Sequence, residues 1–496
     1  MEHFDIMIVG AGLSGVGAAC HLRQRHPRKS FVILEGRNAL GGTWDLFRYP
    51  GVRSDSDMYT LGYRFRPWRN AKAIADAESI LNYIRETAAE FEVDKEIRYG
   101  QRVKHASWST ADSLWTIEAE TGSDKPIAQY TCHFLYLCTG YYDYEAGYTP
   151  DWPGVKNFGG QIVHPQKWPE DLNYEGKRVV VIGSGATAVT LVPAMAERAA
   201  HVTMLQRSPT YIVSRPAEDK IANTLRSVLP ARVAYALTRW KNVLMQMFFY
   251  NLARRRPNLF KWMLARGVRN QLGDQYDLKH FTPQYNPWDQ RLCLVPDSDL
   301  FKAISDGRAT VVTDQIETFT ETGLQLKSGE HLNADVIVTA TGLVLKLMSG
   351  LQLTVDGMPV DLSKTMTYKG MMYSDVPNLA SAFGYTNASW TLKCDLTSEY
   401  VCRLLKHMDQ HGYAQCTARV NDAEITPESA IDFNSGYVLR ALHTLPQQGS
   451  KTPWRLHQNY VKDLSMLRWG RVDDGAMEFK PAPRGSHAAP VEVQHG

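Results

Sequence analysis

Two short glycine-rich segments carry the first chemistry legible in this sequence. Gly10-Ala11-Gly12-Leu13-Ser14-Gly15 has the spacing G-x-G-x-x-G, and Gly183-Ser184-Gly185-Ala186-Thr187-Ala188 repeats it about 170 residues later with alanine in the third place. In such a turn the first glycine permits the tight bend and the second lets backbone approach a pyrophosphate. The third brings helix close to strand, and the N–H groups at the helix start face the phosphates. The residues downstream distinguish the two segments. About twenty residues past the first, Glu35 offers a carboxylate that suits a ribose hydroxyl and repels a 2′-phosphate. Past the second, the corresponding strand ends on Gln206-Arg207-Ser208 with no acid. A guanidinium with hydroxyl support is what a 2′-phosphate needs, although an ordinary exposed cation would read the same way. FAD is therefore expected at Gly10, Gly12, Ser14, Gly15 and Glu35. NADPH is expected at Gly183, Ser184, Gly185, Thr187, Ala188, Arg207 and Ser208.

The elements that must position these residues adopt a βαβ order twice. An apolar strand over Phe4 to Val9, a helix to about Gln24 and a strand over Phe31 to Leu34 surround the first segment. Strands over Arg178 to Ile182 and His201 to Leu205 surround the second. Each parallel sheet offers one pyrophosphate site at its switch point, so the fold class is α/β with two Rossmann-like dinucleotide-binding domains. Two more apolar runs, Phe134 to Leu137 and Val336 to Val338, lead into Cys138-Thr139-Gly140 and Ala340-Thr341-Gly342, each returning the chain to a sheet beside a cofactor. The stretch from Ile221 to Gly273 has no Asp or Glu, several Arg, and apolar residues at helical spacing. It reads as a helical insertion, placed at about 212–285. The expected division is a discontinuous FAD-binding domain, 1–144 and 371–496, around an NADPH-binding domain, 145–370. The Pro-, Ala- and Gly-rich end, 481–496, reads as a mobile tail.

Bulk properties agree with small-molecule partners. The chain has 496 residues, 44% of them hydrophobic, enough for more than one core. Its 55 basic and 52 acidic side chains give +3, too balanced for a general nucleic-acid footprint. Seven scattered cysteines without C-x-x-C argue for a reducing compartment, against a disulfide framework or zinc, and against a disulfide reductase. With neither a leader-like N-terminus nor an apolar run of membrane-spanning length, a cytoplasmic location is expected. The basic stretch reads mainly as a cap over the substrate entrance, with weak peripheral membrane contact as the other reading.

Two nucleotides alone leave disulfide reductases, NADH dehydrogenases and flavin monooxygenases open. Two further segments narrow the choice: Gly41-Gly42-x-Trp44-x-x-x-x-Tyr49-Pro50-Gly51-x-x-x-Asp55, and Phe158-x-Gly160-x-x-x-His164-x-x-x-Trp168-Pro169. Both resemble the signatures of type I Baeyer–Villiger monooxygenases, and the run Arg48 to Trp68 resembles the mycobacterial ethionamide-activating members of that family. The resemblance implies an NADPH-reduced FAD, a C4a-peroxyflavin formed with O2, and conversion of ketones to esters or lactones, with oxygenation of thioethers and thioamides alongside. The substrate partner would be a small ketone or sulfur compound; a heteroatom-oxygenating flavin monooxygenase is the alternative. Gly42, Thr43, Trp44, Asp55 and Tyr59 would join the FAD site. Asp55 would pair with Arg291, the latter holding charge on the reacting oxygen. Phe158, Gly160, His164 and Trp168 would form a linker coupling NADPH binding to domain rotation. In one departure from better-known members, Gln290 stands where a lysine helps to hold the 2′-phosphate, which leaves the preference for NADPH mainly to Arg207. Asn387-Ala388-Ser389-Trp390 is a candidate pocket wall, and oligomeric state is left open.

Overall fold

The computed structural model describes residues 1–122, 126–290, 292–430 and 435–482. Strand β1 (Glu2–Val9), helix α1 (Leu13–Arg25) and strand β2 (Phe31–Leu34) form the first unit; β1 begins two residues earlier than its apolar run. Small residues make the close packing possible. Gly17 of α1 leaves room for the Tyr63 ring, whose Cε1 would lie 2.8 Å from any Cβ there. Three short or amphipathic helices come next: α2 (Thr43–Leu46), α3 (Met58–Leu61) and α4 (Ala77–Glu90). The last two are capped by aspartates, Asp57 accepting from the Thr60 N–H and Asp76 from the Ser79 N–H.

β1 is central to a nine-stranded sheet, with β2 and Ile127–Leu137 as its parallel neighbours. An antiparallel meander of Gln101–Ser109, Leu114–Thr121 and Ile127–Leu137 extends the sheet on one side. The second unit is an all-parallel five-stranded sheet in the order 309–313, 201–206, 178–182, 336–339, 161–163, with α5 (Ala186–Met195) after its fingerprint. The chain passes between the sheets twice, at Tyr142–Gly147 and Leu343–Leu345, and these two crossings pair antiparallel. One expected boundary needs correction. The chain rejoins the first sheet at Gln352–Val355, parallel to His105–Trp108, well before residue 371. Hydrophobic alternation in this four-residue strand is too brief to have marked the return.

Three helices, α6 (Lys220–Val228), α7 (Ala231–Arg255) and α8 (Pro257–Leu272), form the insertion. It leaves and returns through a parallel pair, Ile212–Arg215 with Cys293–Pro296. A buried guanidinium fastens it to the first unit: Arg239 donates to the carbonyls of Tyr59 (2.7 Å) and Gly62 (2.8 Å) and pairs with Asp395 (3.4 Å). Burial alone would raise the Asp395 carboxyl, but His21, Arg239 and the Arg64 N–H together hold it below its ordinary value. Of the expected tail, Pro481 ends a strand, Met477–Pro481, paired with Tyr413–Ala418; 483–496 lie outside the described residues.

Candidate active site

The fingerprint glycines divide into two kinds. At Gly10 (φ +102°) a Cβ would lie 2.6 Å from the Cys138 carbonyl oxygen, and at Gly15 it would lie 1.8 Å from that of Gly10. At Gly183 (φ +138°) it would meet the Ala340 oxygen at 2.3 Å. These positions are glycine because the protein itself fills the space. Gly12 and Gly185 are different: a Cβ would make only ordinary contact with Gly42 at the first and meet nothing within 4 Å at the second. Chain packing does not require glycine there, whereas a group closing on the backbone from outside does. Both cradles therefore fit a dinucleotide.

Around the first cradle lies a cleft lined by Gly10, Gly12, Glu35, Gly42, Tyr142 and Tyr144, among others. Glu35 directly follows β2 and is buried, accepting from the N–H groups of Ala11 (2.7 Å) and Arg37 (2.9 Å). Burial pushes its carboxyl up, against those two hydrogen bonds. Thr43 at the start of α2 bonds the Tyr142 hydroxyl (2.7 Å), and half-buried Trp44 packs on the first core. Ser14 accepts from the Trp390 indole (2.9 Å), and that indole stacks on Tyr141. Tyr59 does not reach either cofactor cleft. It is fully buried beside Tyr235, its backbone carbonyl holding Arg239, so its role is to seat the insertion.

The second cleft, about 570 Å³, gathers Gly183, Ser184, Gly185, Thr187, Arg207 and Ser208. Ala188 is buried in the core below it. Ser184 bonds Thr210 (2.8 Å) and the Ser208 carbonyl (3.1 Å), which fixes the loop after the strand. Gln206 points inward to His280 and Thr313, whereas Arg207 and Ser208 are turned outward. Arg207 has no hydrogen-bond or carboxylate partner among the described residues. Arg440, which no sequence motif marks, lines the same cleft with its guanidinium 3.5 Å from the Tyr148 ring centroid. No spacing links it to the fingerprint, since it arrives from a helix far along the chain.

The Tyr-Pro-Gly segment joins the two units. Tyr49 is buried in the second core, and Gly51 (φ +75°) sits where a Cβ would come within 2.7 Å of Ala194 on α5. Arg53 pairs with Asp299, also beyond the first unit (2.5 Å). The segment delivers exposed Asp55 to the place where the NADPH-side cleft meets a third cavity of about 560 Å³. That cavity is walled by insertion residues such as Phe249, Phe260 and Met263, and by Asn387, Ala388 and Ser389. Leu292 lines both spaces with Asp55, and Gln290 lines the NADPH-side cleft; Arg291 itself lies outside the described residues.

The linker signature sits where the chain crossings meet. Phe158 is buried, and Gly160 passes so close to the Asp335 carbonyl that a Cβ would lie 2.4 Å away. Half-buried Trp168 packs on the second core. The His164 ring covers Gly147 of the first crossing, and its Nδ1 accepts from the Gln166 N–H (3.2 Å). Burial lowers its pKa; the Gly342 and Tyr148 backbone groups beside it pull the other way without prevailing.

Comparison with known proteins agrees with this geometry. The flavin-binding monooxygenase-like model matches residues 71–348, and an NAD(P)-binding Rossmann-like domain matches 8–76. The FAD-containing monooxygenase EthA of Mycobacterium tuberculosis is 55% identical over 488 residues, 98% of this chain and 99% of that protein. The chain belongs to the flavin-binding monooxygenase-like family. Among solved structures, this family member is similar to an oxidised steroid monooxygenase bound to NADP, with a TM-score of 0.77, 21% identity, and 97% and 100% of the two chains covered. It is also similar to ε-caprolactone-bound cyclohexanone monooxygenase, with a TM-score of 0.75, 18% identity and the same coverage. The flavin-binding monooxygenase-like chain is an FAD-dependent monooxygenase, and its fold is shared with a monooxygenase that binds NADP. Among the described residues, no helix is long and apolar enough to cross a membrane.

Proposed function

We propose that this protein is a Baeyer–Villiger monooxygenase that turns ketones into esters or lactones and also oxygenates sulfur in thioethers and thioamides. The carrying observation is the position of Asp55, which lies at the junction of the NADPH-side cleft and the apolar cavity, beside Gln290 and Leu292. FAD, in the cleft of Gly12 and Glu35, supplies electrons taken from NADPH to activate O2. The residues of the chain do the rest. Arg207, Ser208 and Arg440, which line one cleft, would hold the NADPH phosphates. Phe249, Phe260 and Met263 give the cavity an apolar wall suited to a hydrophobic substrate. The role proposed for Arg291, with Asp55 as its partner, is to stabilise the negative charge that builds on oxygen as the carbonyl is attacked. Similarity to a steroid monooxygenase and to a lactone-bound cyclohexanone monooxygenase supports the ketone reading; EthA supports flavin monooxygenation.

The test is product analysis with a simple ketone beside a thioether. Arg291→Ala is expected to abolish ester formation, a loss of roughly 3 to 4 kcal/mol or more than a hundredfold in rate, while NADPH oxidation and flavin content persist. Asp55→Ala should slow both NADPH oxidation and oxygenation. Ester made by Arg291→Ala at the wild-type rate, or sulfoxide without any ester from the wild type, would refute the reading.

A further inference from the structure

Helix α7 is amphipathic in the reverse sense. Its buried face carries Tyr235, Thr238, Arg239 and Asn242, whereas Val233, Leu237, Trp240, Leu244 and Phe248, at spacings of three and four residues, form an outward apolar stripe. All five are exposed, Phe248 to 61%. Exposed Leu259 and Trp262 continue the stripe onto α8, and the two helices pack through Phe249 and Phe260. At the other end Trp240 meets Tyr460 edge-on, next to exposed Val461. Large continuous apolar faces on a water-soluble surface mark docking sites.

Charge identifies the occupant. Residues 220–272 contain 11 Lys and Arg and no Asp or Glu. Arg232, Arg255, Arg256, Arg266 and Arg269 are exposed, with Arg266 over the Trp262 ring. Guanidinium groups flanking an apolar stripe with tryptophan match the interface of an anionic bilayer: the apolar groups sink below the headgroups and the cations stay at the phosphates. A twofold pairing with a second copy would set two such positive faces against each other.

The cavity opens on this same face. Met245 and Met263 both line it and are both exposed, and their chain neighbours Leu244 and Trp262 belong to the stripe. We propose that the α7–α8 hairpin docks the protein on anionic lipid membranes and sets the cavity mouth against the headgroup layer, so that lipid-dissolved substrates enter without crossing water. The entrance role rests on the cavity being the substrate site; the docking itself needs no turnover.

The experiment is flotation of the FAD-loaded, full-length protein with vesicles of phosphatidylcholine alone or mixed equally with phosphatidylglycerol. Binding to the mixed vesicles only, weakened by salt, is expected. Phe248→Glu combined with Trp262→Glu should weaken that binding roughly tenfold or more, with flavin content and turnover of a short, water-soluble ketone unchanged. Wild-type protein that stays with the buffer, or a double variant that floats as well as wild type, overturns the proposal. So does a double variant that converts a lipid-free dimer to a monomer in sedimentation, because the face would then belong to a second copy. Flotation that persists in a wild type unable to oxygenate the ketone supports docking and refutes only the ketone reading.

Discussion

Glycine answers two different demands within each fingerprint, and substitutions should separate them. At Gly185 a Cβ has open space, so Gly185→Val should leave the melting temperature within about 2 °C of wild type while weakening NADPH binding severely. At Gly15 a Cβ has nowhere to go, and Gly15→Ala should lower the yield of folded, yellow protein. Thermal unfolding monitored by flavin fluorescence, beside NADPH titration, reads both; equal effects at the two positions would remove the distinction. Arg207, turned to the cleft with no hydrogen-bond or carboxylate partner among the described residues, is the residue proposed to bind the NADPH 2′-phosphate. Arg207→Ala should raise the NADPH KM by roughly 10- to 150-fold, about 1.5 to 3 kcal/mol of charged hydrogen bonding, and leave kcat and the NADH KM nearly unchanged. Identical kinetics with both nucleotides would reassign the residue to the surface.

Among the elements, the two chain crossings and the segment at 47–55 decide how the units communicate. His164 rests on one crossing, and its neutral ring, with Nδ1 accepting a backbone N–H, is the form that the fold favours. Its folded pKa lies below the unfolded value near 6.5, so the stability it contributes is complete above about pH 6.5 and is lost as pH falls through the folded value. His164→Asn should therefore show a shallower fall in melting temperature on the acid side than wild type; parallel curves would assign that slope to other groups. The βαβ units were legible from apolar runs ending in glycine, and the insertion from an acid-free stretch with apolar residues at helical spacing, because local spacing alone sets such elements. The seating of Tyr59 against α7 was not, because a tyrosine beside a signature reads as a ligand until the helix that covers it is placed. Arg440 was equally hidden, since only tertiary folding brings it 3.5 Å from Tyr148.

At the scale of the whole molecule, the arrangement is two dinucleotide sheets with a helical hairpin closing a third space between them. The NADPH-side cleft and the apolar cavity have wall residues in common: Asp55, Leu292 and Cys293. A boundary shared in this way gives each side a route by which its filling can bias the other. The expected outcome is that occupancy of either chamber shifts the other's affinity, by factors that thermodynamic reciprocity makes equal. Calorimetric titration of NADP+ with and without a saturating inert ketone analogue, then in the reverse order, should return the same ratio. Replacing the charged member of that wall, by Asp55→Asn, should bring the ratio toward one. The partition would then act as a metronome, with departure of one guest timing the admission of the next.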